Sequence, residues 1–335
     1  MIMKKLTVKH DYSELIIGIG EILESGRNQA YKAVNNILVQ TYREIGKRIV
    51  KFEQKGKITS EYGSELLINL SKELAPYGKG FSRSNLTYMR LFYIKYPKSE
   101  TVSHQLSWSH YFELLKVEDD LARGFYEKQC IKEKWSIREL KRQKKSMLFE
   151  RIALSKDKKG VLKLAEQGEL VETSKDIIRE PYVLEFLGIP ENYQYSEKEL
   201  EQKIIDNLQM FLLELGKGFT FVKRQFRMTL NNRHFYADLV FYHRILKCFV
   251  IIDLKIGEVD HGDIGQMNMY LNYFKTEEST NDDNDPIGII LSAEKEHISV
   301  QYALGGISNK LFVSKYQLYL PKKGELEEEV KKLME

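Results

Sequence analysis

The sequence predicts two domains of different class: an all-α or mainly α N-terminal domain, and a C-terminal α/β domain with a mixed central sheet flanked by helices. Three observations carry this. Apolar residues recur at helical spacing through the first 150 residues. Beyond Gly218 the pattern changes to three β-rich stretches, 219–230, 235–242 and 247–254. Between the halves lies a basic zone of low hydrophobicity, which puts the boundary between Ser155 and Glu180 and gives domains of residues 12–155 and 175–335.

The helices can be taken in order. Val34, Ile37, Ile45, Ile49 and Phe52 define one over residues 30–54. A second runs from Ser64 to Ala75 and stops at Pro76 and Gly78. Ser82 caps a third, which carries Leu86, Met89 and Phe92 until Pro97 ends it. Ser107 caps WSHYFELL. Ser136 and Glu139 form a capping box that opens a helix reaching Leu148. Ser196 and Glu199 form another, opening a helix that runs to Leu215 and ends at Gly216. Asn231 and Asn232 suit a tight turn between the first two strands. A helix over residues 263–275, strands at 287–291 and 316–320, and a charged terminal helix complete the α/β order.

Composition narrows the function classes. The chain has 335 residues, 42% hydrophobic and 30% charged, which describes a folded globular protein rather than a disordered one. Its net charge of +4 permits a polyanionic partner without requiring one. The two cysteines, Cys130 and Cys248, have neither metal-site nor disulfide-framework spacing and read as reduced thiols in a cytoplasmic protein. The N-terminus has no secretory h-region, and the most apolar run, Cys248 to Ile252, is too short for a membrane span.

The chemistry sits in the strands. Asp238 interrupts HFYADLVFY, although Asp is a poor strand former. The next stretch, CFVIIDLKIG, is apolar until it places Asp253 and Lys255 at its end. Residues two apart on a strand share a face, so Asp253 and Lys255 project together while Leu254 points away. A neighbouring strand brings Asp238 to the same place. Two carboxylates in an apolar setting repel each other and lose hydration. A Mg²⁺ ion answers both problems, with the Leu254 carbonyl as a further oxygen ligand. It would activate water and polarise a phosphate, while Lys255 orients the water or stabilises charge on phosphorus. A bare D-x-K triplet is also an ordinary ion pair; the conjunction with an isolated strand Asp is what points to catalysis.

The stretch YADLVFYHRILKCFVIIDLKIGEVDHGDIGQMNMYLNYF resembles the nuclease domain of the YhcG family of bacterial proteins. The similarity extends through KELEQKIIDNLQMFLLELGKGFTFVKRQ and into the N-terminal half, in TYREIGKRIV, GFSRSNLTYMRLFY, LSWSHYFELL and WSIRELKRQ. It implies a helical N-terminal domain joined to a restriction-endonuclease-like PD-(D/E)xK nuclease domain that uses Mg²⁺ or Mn²⁺. Asp253 departs from the commoner Glu at the first position of the triplet. The resemblance also points to a Glu on the first nuclease helix, here Glu201, which otherwise reads as a solvated helix residue. It points as well to Gln266 and Tyr270, which share a helix face at i, i+4. For Tyr270 the alternative is a place in the core with Met267, Leu271 and Phe274.

Two surfaces are candidates for nucleic acid. The third helix offers Arg83, Asn85 and Arg90 with no acidic residue and could be the second helix of a helix-turn-helix. The basic zone offers Lys141, Arg142, Lys144 and Lys145 for sequence-independent phosphate contact, although such a run also suits a solvated helix face. The leading expectation is therefore a Mg-dependent DNA endonuclease in a defence, mobile-element or DNA-processing setting, acting as a homodimer or with a protein partner. The competing one is a non-catalytic DNA-binding or assembly factor on a nuclease fold. RNA remains a third substrate class.

Overall fold

A computed structural model describes residues 2–55, 60–154, 156–190, 194–294 and 310–334. By contacts the chain falls into two compact units, Met1–Arg123 and Gly124–Glu335. The division lies ahead of the boundary window between Ser155 and Glu180 that the sequence suggests; Ser155 itself is outside the described residues.

The N-terminal unit is helical. Its long helix α1 spans Ile2–Lys55, far beyond the 30–54 that periodicity suggests. α2 (Ser60–Glu73) and α3 (Arg83–Lys95) follow, then α4 (Trp108–Leu114). Ser82 caps α3 by accepting the Asn85 amide at 3.2 Å. Leu86 and Met89 of α3 pack with Ile49 and Leu67, and Phe92 stacks against Trp108 and Tyr111. The apolar side of α3 is therefore the unit's core.

Helix α5 (Asp120–Glu133) runs across the division. In the C-terminal unit, α6 (Ile137–Lys145), α7 (Leu148–Ala153) and α8 (Lys158–Gln167) precede the sheet. The Ser136–Glu139 capping box forms, with the Glu139 carboxylate accepting the Ser136 amide at 2.6 Å. The helix expected to reach Leu148 breaks at Met147, whose φ is +53°, and restarts as α7.

The sheet has six strands: β1 (Tyr182–Val183), β2 (Phe219–Leu230), β3 (Arg233–His243), β4 (Cys248–Lys255), β5 (Ile287–Ser292) and β6 (Lys310–Gln317), in spatial order β1-β6-β5-β4-β3-β2. The meander β2-β3-β4 is antiparallel; β4, β5, β6 and β1 are parallel. Asn231 and Asn232, at φ +48° and +62°, make the tight β2–β3 turn that their residue types suggest. Helices α9 (Glu197–Asp206) and α10 (Leu208–Leu215) cover one face; the single helix expected here is interrupted at Asn207. Leu200, Ile204 and Phe211 pack there on Leu239, Val250, Ile252 and Leu254. α11 (His261–Tyr273) covers the other face, with Met267, Tyr270 and Leu271 on Val240, Ile251 and Ile290. A last helix, α12, spans Lys323–Met334. This is a mixed sheet flanked by helices, as the strand patterning implies. Among the described residues no helix is long and apolar enough to cross a membrane.

A buried ion cluster ties the helices before the sheet to it. The fully buried carboxylate of Glu214 accepts from Arg151 at 2.6 Å, Arg142 at 2.7 Å and the Val183 amide at 2.9 Å. Burial alone would raise its pKa, but Arg151 and Arg142 outweigh burial and hold the carboxyl low. Arg142 and Arg151 also donate to the main-chain carbonyls of Val183 and Pro181.

Candidate active site

The site lies where the β3–β4 ladder stops. Pairing runs from His243↔Cys248 to Leu239↔Ile252, and the next residues on the two strands are Asp238 and Asp253. Past that point β4 stays paired with β5 alone, and on the β3 side the Asp238 carboxylate accepts the Leu254 amide at 2.8 Å. Alternation along β4 sends Ile252 and Leu254 to the α9–α10 side and leaves Ile251, Asp253 and Lys255 on the α11 side. The sequence pattern of an apolar strand closing on D-x-K thus becomes two acids and a lysine at one sheet end.

Asp253 is 5% exposed. Burial, and after it the charge of Asp238, pushes its carboxyl up to about 7. Asp238 is raised as well, by burial first and by Glu201 among its charged neighbours. Lys255 lies 3.5 Å from Asp253 and 3.0 Å from Asp263. Burial works against its charge, but the two carboxylates outweigh burial and hold the ammonium firmly protonated. One lysine shared in this way leaves the acids short of positive charge.

Glu201 is no solvated helix residue. It is 3% exposed, and its Oε2 accepts from the Gln225 amide at 2.7 Å. The same amide donates to Asp238 at 3.0 Å. Gln225 falls between the paired positions Arg224↔Leu239 and Phe226↔Ala237, opposite Asp238, and its φ of +46° departs from the extended backbone around it. A non-glycine residue in that region signals a conformation the surroundings impose. The other Glu201 oxygen, Oε1, is buried without a hydrogen-bond donor, although Arg224 Nε lies 3.0 Å away.

Tyr270 takes the core place that is the alternative in the sequence. Its ring is buried with Met267 and Leu271, while its hydroxyl donates to the Tyr236 carbonyl at 3.0 Å and receives the Gln266 amide. Burial, then the charge of Asp253, lifts the phenol to about 12. Gln266 thus contacts the Tyr270 hydroxyl.

The donor atoms that the three acids would offer a metal are oxygens, which suit a hard divalent cation rather than a soft one. Among the described residues no three His, Cys, Asp or Glu side chains already stand as a metal cage. The fit rests on the under-neutralised pair Asp238–Asp253, since the Oε1 of Glu201 already has the Arg224 guanidinium 3.0 Å away.

The expected nucleic-acid contacts divide. Arg142 is withdrawn from that set: it is 8% exposed and its donors serve Glu214, Glu185 and Val183. Its neighbours Lys141 and Lys145 are exposed and Lys144 is half-buried. In the N-terminal unit, Asn85 is likewise structural, donating to the Gly80 carbonyl at 2.7 Å and accepting from Trp108 at 3.4 Å. Arg90 is paired with Glu53 at 2.7 Å, and Arg83 is exposed. Two residues of the site escaped sequence reading, Gln225 and Asp263. Asp263 is visible there only as half of a capping box with Asp260, whose oxygen accepts the Asp263 amide at 2.9 Å.

Two family models match the chain: the YhcG PDDEXK nuclease domain over residues 175–331 and the DUF1016 N-terminal domain over residues 18–151. The YhcG protein of Escherichia coli (strain K12), named only provisionally as a nuclease, is 39% identical over 95% of this chain and 93% of its own length. Among solved structures, a repair endonuclease from Pyrococcus abyssi is 22% identical over 39% of this chain and 50% of its own, at a TM-score of 0.28. EndoMS in complex with double-stranded DNA is 17% identical over 40% and 51%, at a TM-score of 0.28. The match spans about half the length of each solved chain.

Proposed function

Because the chain belongs to the YhcG family of PDDEXK nucleases, we propose that it is a divalent-metal-dependent DNA endonuclease whose reacting centre is Asp238, Asp253 and Lys255. The observation that carries this is the meeting of Asp238 and Asp253 where their strands cease to pair, with Asp253 pushed up to about 7 and Lys255 as the nearest cation. A carboxylate so raised binds a proton or a metal ion at neutral pH.

The carboxylates of Asp238 and Asp253, with the Leu254 carbonyl, would hold Mg²⁺ or Mn²⁺. When bound, such an ion lowers the pKa of a coordinated water and polarises the scissile phosphate. The chain's own residues do the rest. Asp238, fixed by the Leu254 and Gln225 amides, keeps its carboxylate aimed at the site. Lys255, held protonated, works through its charge: it orients the attacking water and stabilises negative charge on phosphorus. Gln225 couples Glu201 to Asp238, and Tyr270 with Gln266 closes the α11 side. Lys141, Lys144 and Lys145, with Arg83 in the other unit, are the remaining candidates for phosphate contact. The setting follows the family resemblance: cytoplasmic defence, mobile-element control or DNA processing, with DNA and a protein partner.

The test is cleavage of branched, single-stranded and duplex DNA, and of an RNA strand, in Mg²⁺, Mn²⁺ or EDTA. Loss of metal-dependent cleavage of DNA in both Asp253→Ala and Lys255→Ala, by at least about 100-fold, is expected. No cleavage by the parent, with DNA binding unchanged in both variants, would replace this reading with a binding or assembly factor.

A further inference from the structure

Helix α1 has an apolar side that its own unit leaves bare. From Tyr12 to Leu38 every apolar side chain is exposed, including Ile16 at 52%, Ile22 at 73% and Ile37 at 64%. Further along the same helix the pattern reverses, with Val39 at 1% and Ile49 at 5% buried in the N-terminal core. The bare residues are not scattered. A seam at alternating spacings of four and three residues runs from Tyr12 to Ile37, widened by Leu15, Ile22 and Val34. That is the repeat of a two-helix coil. These large side chains together leave on the order of 800 Å² of apolar surface in water, about what one partner contributes to an interface of standard size.

The seam is lopsided, and this identifies its occupant. Its first half holds Tyr12, Ile16, Ile19 and Leu23; its second holds Gly26, Ala30 and Ala33 before Ile37. Turned end for end against itself, the seam sets Tyr12 opposite Ile37, Ile16 opposite Ala33, Ile19 opposite Ala30 and Leu23 opposite Gly26. Every large residue meets a small one, apart from the outermost layer. Parallel pairing would stack glycine on glycine and alanine on alanine, leaving voids that close packing disfavours. Charge favours the same orientation. Residues 12–24 contain Glu14, Glu21 and Glu24 and no basic residue, whereas residues 25–38 contain Arg27 and Lys32 and no acidic one. End-for-end pairing brings unlike halves together. We propose that α1 pairs antiparallel with α1 of a second copy of this chain, with Leu23 of each against Gly26 of the other. This does not depend on the nuclease reading.

Light scattering of the full chain at micromolar concentration should give about twice the 39.4 kDa protomer mass. Leu23→Asp combined with Ile19→Asp should return it to one protomer. Gly26→Leu is the more telling variant. A Cβ at Gly26 meets nothing within 4 Å in the protomer, so this change leaves the protomer fold alone and strengthens its helix, yet it should break the dimer. Orientation is read by mild oxidation. A mixture of Ile16→Cys and Ala33→Cys chains should cross-link between chains, and neither variant should do so alone; the native Cys130 and Cys248 are buried. A parent chain of protomer mass, a dimer that survives Gly26→Leu, or self-cross-linking of Ile16→Cys alone would each overturn the proposal.

Discussion

Replacing Asp253 by Asn should make the metal-free protein more stable while ending its activity. Asp253 is 5% exposed, and its carboxyl moves from 3.8 in the unfolded chain to about 7 in the fold, through burial and then through Asp238. Between those two values the folded state binds the proton and the unfolded state does not. Stability therefore falls as pH rises through that window and stays low above it. At about 1.4 kcal/mol for each tenfold step in proton affinity, the cost at pH 8 has a ceiling of about 4 kcal/mol. Asn removes that cost, but Lys255 loses a neighbour at 3.5 Å while keeping Asp263 at 3.0 Å. A net gain of about 2 kcal/mol is expected, allowing for that lost ion pair.

For a unit the size of Gly124–Glu335, such a gain raises its melting temperature by about 4–8 °C. Thermal unfolding of parent and Asp253→Asn in EDTA, at pH 8 and at pH 5, measures it. At pH 5 the folded parent already carries the proton, so less than half of the difference should remain. Excess Mg²⁺ should close or invert the gap at pH 8, because it binds the folded parent and not the variant. A variant no more stable than the parent at pH 8, or equally stabilised at both pH values, would refute the electrostatic argument.

Other consequences test the scaffold. Glu214→Gln leaves two buried guanidinium groups without their carboxylate and should cost about 3–5 kcal/mol in denaturant unfolding of the C-terminal unit. By the same reasoning, a fragment beginning at Gly124 should unfold cooperatively, whereas one beginning at residue 156 lacks Arg142 and Arg151 and should fail to do so in calorimetry. Gln225→Ala removes the one amide that serves both Glu201 and Asp238, and should lower cleavage at fixed Mg²⁺ by about 10–100-fold with little change in melting temperature. A metal titration of the rate checks this.

Features written in local chemistry were legible. The Ser136–Glu139 and Ser196–Glu199 boxes needed only their own backbone, and they formed. An Asp inside an apolar strand and a D-x-K at the end of the next stood out because strand alternation has few exceptions. The breaks at Met147 and Asn207 did not show, because the flanking apolar spacing stays helical across both; around Asn207, packing of Leu200, Ile204 and Phe211 on the sheet accompanies the turn. Arg142 misled for a related reason. In the run Lys141 to Lys145 it is the basic residue on the inward face, and nothing local announces that Glu214, far along the chain, waits there.

Gln225 was hidden more deeply. Its residue type is unremarkable in a strand, and its importance comes from a positive φ that no residue near it advertises. Asp238 faces across to Gln225 on one neighbouring strand and to Asp253 on the other. The acid therefore sits between a donor that satisfies it and an acid that repels it. That asymmetry explains why Asp253, with no such amide and burial at 5% exposure, is the one pushed up to about 7. The same reasoning separates fold boundary from composition. The basic, low-hydrophobicity zone reads as a boundary, yet Arg142 and Arg151 within it supply the guanidinium groups that neutralise a carboxylate under the sheet. Where a buried charge is paired across a stretch of chain, that stretch belongs to one folding unit, however polar it reads.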